Sequence, residues 1–83
     1  MELVVYILKS LRNEGLYVGQ TNDLPRRLQQ HNDPTSGSYT STRGPWVVVH
    51  SEQSPDRSTA MARELFLRSV AGSREKRRLA GVV

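Results

Sequence analysis

The longest unbroken apolar run in the chain, Leu3 to Leu8, decides which folds are open to it. A membrane span needs about 20 apolar residues, and the apolar core of a secretory signal is also longer, so the run is neither. Glu2 to Lys9 is rich in β-branched and aromatic side chains and reads as a strand. Arg12-Asn13-Glu14-Gly15 supplies turn residues, with Gly15 available for a positive φ. Leu16-Tyr17-Val18-Gly19 then reads as a second, antiparallel strand. Thr21-Asn22-Asp23 offers N-cap residues, and Pro25 suits a first helical turn. A helix follows from about Asp23 to Asn32, stopped by Asp33-Pro34. Residues 33–45, rich in Ser, Thr, Gly and Pro, form a loop of the length kept for function or left mobile. Trp46 to His50 is a third strand. Ser54-Pro55-Asp56 introduces a helix to about Ala71, which Gly72-Ser73 breaks. Ser73 to Leu79 completes the chain as a short basic helix with a frayed end. The order β-β-α-β-α-(α) predicts a single α/β (α+β) domain over residues 1–83, a small three-stranded antiparallel sheet flanked by helices.

Composition narrows the chemistry. With 83 residues there is room for one domain. With no cysteine there is no disulfide frame, no thiolate metal site and no thiol nucleophile, and the cytoplasm is the default location. The formal charge of +4 arises from twelve Lys and Arg against eight Asp and Glu, and ten of the twelve are Arg, the side chain whose planar fork best matches phosphate. A basic balance favours a polyanionic partner such as nucleic acid. The excess is uneven: Arg74, Lys76, Arg77 and Arg78 face only Glu75 in the last segment, and the rest is nearly neutral.

Polar residues in apolar places carry more information. Leu24, Arg27, Leu28 and His31 follow the i, i+3, i+4, i+7 spacing of a buried helix face. An Arg on that stripe either snorkels to solvent or faces an anion in a wet cleft. In the second helix Glu64 falls inside the apolar arc of Ala60, Met61 and Ala71. It is either paired, with Arg68 at i+4 or with Arg27 across helices, or bound to a cation. Tyr6 and Tyr17 sit on the two hairpin strands, where neighbours can share a face. Each is ordinary as a half-buried aromatic with a wet hydroxyl. Together, these five polar groups can line one cleft where helices meet sheet.

These residues resemble the GIY-YIG nuclease domain, of the short stand-alone bacterial type. Val4-Val5-Tyr6 stands for the first motif and Tyr17-Val18-Gly19 for the second. Gln20-Thr21-Asn22-Asp23-Leu24, leading to Arg27 and His31, is similar to the family's T-x-D-L-x-x-R-x-x-x-H segment. Tyr39-Thr40 and Pro45-Trp46 match the loop and third strand, and Ala60-x-x-x-Glu64 with Arg68 the metal-binding helix. The first motif departs from the family in having Val4 and Val5 for Gly and Ile. The resemblance implies an endonuclease hydrolysing DNA phosphodiester bonds with one divalent cation, Mg²⁺ or Mn²⁺, in repair or on branched or damaged DNA. Arg27 would neutralise charge developing on the phosphate. Glu64 would hold the cation. Tyr6 would act as general base or orient water, Tyr17 would supply a second hydroxyl, and either phenol fits the role of base. A phenol of pKa about 10 needs a cation or a proton relay to serve near neutrality. His31 would relay a proton or touch phosphate.

Other residues weigh less. Tyr39 and Arg43 in the loop, and Arg74, Lys76, Arg77 and Arg78 at the end, are candidates to hold nucleic acid, with a plain loop and a solvated helix as the alternatives. His50 reads as a surface or edge histidine, and Trp46 as core rather than a stacking platform. Two histidines without cysteine make a dedicated zinc site a poor expectation. The competing function on the same fold is a non-catalytic module that binds nucleic acid or a partner; a purely structural domain is a third. No membrane partner is expected. For so short a chain, sequence specificity would be low or supplied by a protein partner.

Overall fold

A computed structural model describes residues 3–37 and 39–81, with the side chains of Tyr39 and Ser41 outside that description. Strand β1 (Leu3–Ser10) lies at the centre of the sheet. It pairs antiparallel with β2 (Leu16–Thr21) on one side and β3 (Trp46–Ser54) on the other. Alternation along β1 sends Leu3, Val5 and Ile7 to one face, where they pack with Val18, Ala60 and Leu67. Tyr6 and Leu8 go to the opposite face, with Trp46, Tyr17, Leu24 and Leu28. Helix α1 (Leu24–Asn32) covers the tyrosine face, and α2 (Arg57–Arg68) covers the other. A central strand with helices on both sides has no solvent face, which explains the unbroken apolar run.

Both long helices begin on caps that the sequence marks. Asp23 accepts a hydrogen bond from the Arg26 backbone N–H, and Asp56 accepts one from Thr59. The Asn32 amide at the end of α1 grips the start of β3, donating to the Trp46 carbonyl at 3.1 Å and accepting from its N–H at 2.7 Å. Helix α3 (Ser73–Leu79) forms where the sequence places it. Leu79 and Ala80 pack against the core, and Arg63 of α2 reaches Glu75 at 3.5 Å. The basic segment is therefore a docked helix.

Four local expectations are corrected. The third strand runs on past His50 to Ser54, because Leu3 to Tyr6 of β1 pair with Ser51 to Ser54 whatever their strand propensity. Helix α2 stops at Arg68, short of Ala71; the Ser69 hydroxyl bonds back to the Phe66 carbonyl at 2.6 Å. In the hairpin turn the positive φ (62°) belongs to Glu14, while Gly15 donates to the Asn13 side chain one position on. The loop over 33–45 contains a 3₁₀ turn, Tyr39–Thr42. Glu2, expected to open the first strand, and the frayed end beyond residue 81 lie outside the described residues. Among the described residues, no helix is long and apolar enough to cross a membrane.

Candidate active site

The hairpin register places Tyr6 opposite Gly19 and Leu8 opposite Tyr17, so the two tyrosines are diagonal neighbours on one face. A slip of one residue would send both to the other face. His31, on the last turn of α1, reaches down to this face and is 2% exposed. Its Nε2 lies 2.9 Å from the Tyr6 hydroxyl, and its Nδ1 meets the Thr40 hydroxyl. The Tyr17 ring stands edge-on to the imidazole, centroids 5.0 Å apart. Thr40 is fixed in turn, since its carbonyl accepts from the Trp46 indole N–H at 2.8 Å.

Arg27, one turn before His31, brings its positive charge to the Tyr6 hydroxyl. A neutral imidazole has one donor and one acceptor nitrogen, so His31 can accept from one of its two hydroxyl neighbours and donate to the other. With the Tyr6 O–H donating to Nε2, neutral His31 carries its proton on Nδ1 and donates to Thr40. Burial raises the Tyr6 pKa above its ordinary value; Arg27 opposes that rise, and the charges of Tyr17 and Glu64 add to it. Burial, and secondarily the charge of Arg27, lowers the His31 pKa to about 4, so the imidazole is neutral near pH 7.

Gly19 completes this corner. A Cβ there would lie 2.6 Å from the Tyr6 hydroxyl oxygen and 3.2 Å from Tyr17 Cε1. The second strand can approach the first tyrosine only without a side chain at this position.

Glu64 enters from the opposite layer. It lies between the buried Ala60 and Leu67 of α2, its side chain only 14% exposed, and its charge is felt at the Tyr6 oxygen. Its Oε2 accepts from Arg68 at 2.9 Å, the i+4 pairing that the sequence allows. The cross-helix alternative does not form: Arg27 donates to Gln30 Oε1 at 3.1 Å. Arg27 also borders a polar cleft of about 560 Å³ that opens between the end of β2 and α1. Gln20 lines the same cleft, and its Oε1 is buried without a hydrogen-bond partner.

The profile of the GIY-YIG catalytic domain matches residues 2–78. The chain belongs to the GIY-YIG nuclease family. It is 38% identical to a UPF0213 protein of Clostridium perfringens over 80% of this chain and 70% of that one. A UPF0213 protein of Natronomonas pharaonis is 36% identical over 92% and 88%. The solution NMR structure of a UPF0213 protein from Bacillus halodurans superposes with a TM-score of 0.58 at 28% identity, covering 96% of this chain and 84% of that one. The three-stranded α+β fold is thus that of this GIY-YIG group. The register gives the two tripeptides a physical meaning: the tyrosine of the first, Tyr6, lies against the glycine of the second, Gly19.

The structure gathers Tyr6, Tyr17, Arg27 and His31 on one face and brings the charge of Glu64 to them. Among the other candidates, Arg43 is exposed in the loop, where its carbonyl accepts from Ser10. Arg74 and Arg77 are exposed on α3, and Arg78 is held by Glu75 at 2.6 Å. Lys76 alone of that group is half-buried. The Tyr39 side chain lies outside the described residues. Trp46 is core at 5% exposure, and His50 pairs with Glu52 at 3.0 Å. The sequence marks Thr40 only as part of the Tyr39-Thr40 match, with no role given. The turn that seats it under His31 supplies that role.

Proposed function

We propose that this protein is a divalent-cation-dependent endonuclease that hydrolyses DNA phosphodiester bonds, with branched or damaged DNA among its substrates. The observation that carries the reading is the buried Tyr6 hydroxyl, 2.9 Å from the neutral His31 imidazole and within the field of the Arg27 and Glu64 charges. A buried phenol with a raised pKa is a poor base alone. Here its proton has a prepared acceptor: as Tyr6 takes a proton from water, its own passes to His31 Nε2. The Thr40 hydroxyl can accept from Nδ1–H, which leaves Nε2 open to receive that proton. Arg27 steadies the Tyr6 oxygen and supplies N–H donors for the non-bridging oxygens as negative charge builds there. Tyr17 packs the imidazole and offers a second hydroxyl at the same face.

The donors suit a hard cation. Among the described residues no group of three His, Asp or Glu side chains gathers to make a closed protein cage. The acidic group felt at Tyr6 is the single carboxylate Glu64. One carboxylate, with water and substrate phosphate making up the rest, is how Mg²⁺ and Mn²⁺ are commonly held. Glu64 would hold that ion, which would supply Lewis-acid stabilisation of the phosphate and the leaving 3′ oxygen.

The test is cleavage of supercoiled plasmid and branched DNA with Mg²⁺ or Mn²⁺, beside Arg27→Ala and Glu64→Ala. We expect cutting that needs the ion and falls at least about 100-fold in each variant. Wild-type protein that binds these DNAs but never cuts them, whatever the ion, would leave the non-catalytic module as the better reading.

A further inference from the structure

A second cleft, of about 440 Å³, opens between β2, α2 and α3 and is lined by Leu16, Tyr17, Val18, Arg68 and Lys76. Its volume falls within the roughly 300–1,000 Å³ of small-ligand sites. We propose that this cleft is a phosphate subsite for the nucleotide adjoining the scissile bond, with Lys76 and Arg68 holding the phosphate and Leu16 and Val18 packing against the sugar. The inference rests on the nuclease reading and deepens it.

Three observations support it. First, the charged groups in the lining are both cations, one from α2 and one from α3. Two cations in one lining favour an anion, with Glu64 offsetting part of the Arg68 charge. Arg68 spends one N–H on Glu64, and a guanidinium has five, so it can hold a phosphate as well. Second, Leu16 and Val18 add an apolar wall, which a free inorganic anion would not use but a nucleotide would. Third, the cleft is joined to the reacting face through Arg68, which is bonded to the carboxylate whose charge reaches Tyr6. The docking of α3 through Leu79, Ala80 and the Arg63–Glu75 pair then gains a purpose, since it sets Lys76 over β2. Of the four basic residues on α3, the structure assigns Lys76 to this task.

Substituting Arg68 would also disturb Glu64, so Lys76 is the cleaner probe. Fluorescence anisotropy with a labelled 12-nucleotide DNA strand in EDTA, where no cutting occurs, would compare wild type with Lys76→Ala and Lys76→Arg. Arg74→Ala and Arg77→Ala, exposed on the same helix, match the change in net charge. We expect Lys76→Ala to weaken binding roughly tenfold. It should also lower the slope of log K against log salt by about 0.7. Lys76→Arg should retain most of the affinity, and each control should change it by less than about twofold. Lys76→Ala binding no worse than Arg74→Ala would overturn the subsite while leaving a wild type that cuts DNA as a nuclease. Wild-type protein that neither binds nor cuts DNA would sink both.

Discussion

Gly19→Ala is the smallest change that reaches the centre of the site. The added methyl carbon would lie 2.6 Å from the Tyr6 hydroxyl oxygen, 2.7 Å from Cζ and 3.2 Å from Tyr17 Cε1, well inside normal contact. Gly19 is not among the positive-φ glycines, so the backbone accepts alanine and the conflict is purely steric. Tyr6 cannot retreat freely, being 1% exposed with its hydroxyl on His31 Nε2. Overpacking of this kind costs about 1–3 kcal/mol. In a domain of this size 1 kcal/mol moves Tm by about 4–8 °C, so thermal denaturation followed by circular dichroism should show a fall of roughly 5–20 °C. Below the new Tm, plasmid cleavage should fall further than stability does, because the shifted hydroxyl loses its line to His31. Tyr6→Phe alone leaves Nε2 unpaired and costs about 1–3 kcal/mol. Combined with Gly19→Ala it frees the ring from His31 to step away from the methyl group, so the double variant should be more stable than the sum of the singles by at least about 0.5 kcal/mol. A Gly19→Ala protein with wild-type Tm and wild-type cleavage would refute the close seating of Tyr6 on β2. Strict additivity in the double variant would do so too.

Two further outcomes follow from the same geometry. Because His31 is held at about 4 in the fold against about 6.5 in the unfolded chain, its contribution to stability is complete above pH 6.5. That contribution drains away as pH falls toward 4, by roughly 3 kcal/mol in all. Urea unfolding at pH 7 and pH 4.5 should therefore show a larger loss for wild type than for His31→Gln, and equal losses would contradict the buried neutral imidazole. Gly72→Ala would place a Cβ 1.9 Å from the Phe66 carbonyl, a backbone atom that cannot step aside. The cost should be about 3 kcal/mol or somewhat more, read as a drop in Tm. α3 should lift from α2, and DNA affinity should fall with Lys76; unchanged Tm and affinity would show that the junction is looser than its packing indicates.

The sequence alone determined those features whose causes are local. The β-branched run at Leu3–Leu8 specified a strand, Asp23 and Asp56 marked helix starts, and the spacing of Leu24, Arg27, Leu28 and His31 showed a helix face carrying polar groups inward. Glu64 showed itself the same way, as a carboxylate inside the arc of Ala60, Met61 and Ala71. Tertiary structure decided everything that depends on residues far apart in the chain. Hairpin register set Tyr6 against Gly19, the turn at Tyr39–Thr42 gave His31 its second partner, and pairing with β1 drew polar residues 51–54 into β3. The split of the basic segment, with Lys76 in a cleft, Arg78 on Glu75, and Arg74 and Arg77 exposed, likewise came from how α3 docks. Periodicity and capping act within a few residues and leave a mark in the sequence. Partner choice between separate elements is fixed only when sheet and helices close around a shared core, and the groups of the candidate site meet across that core.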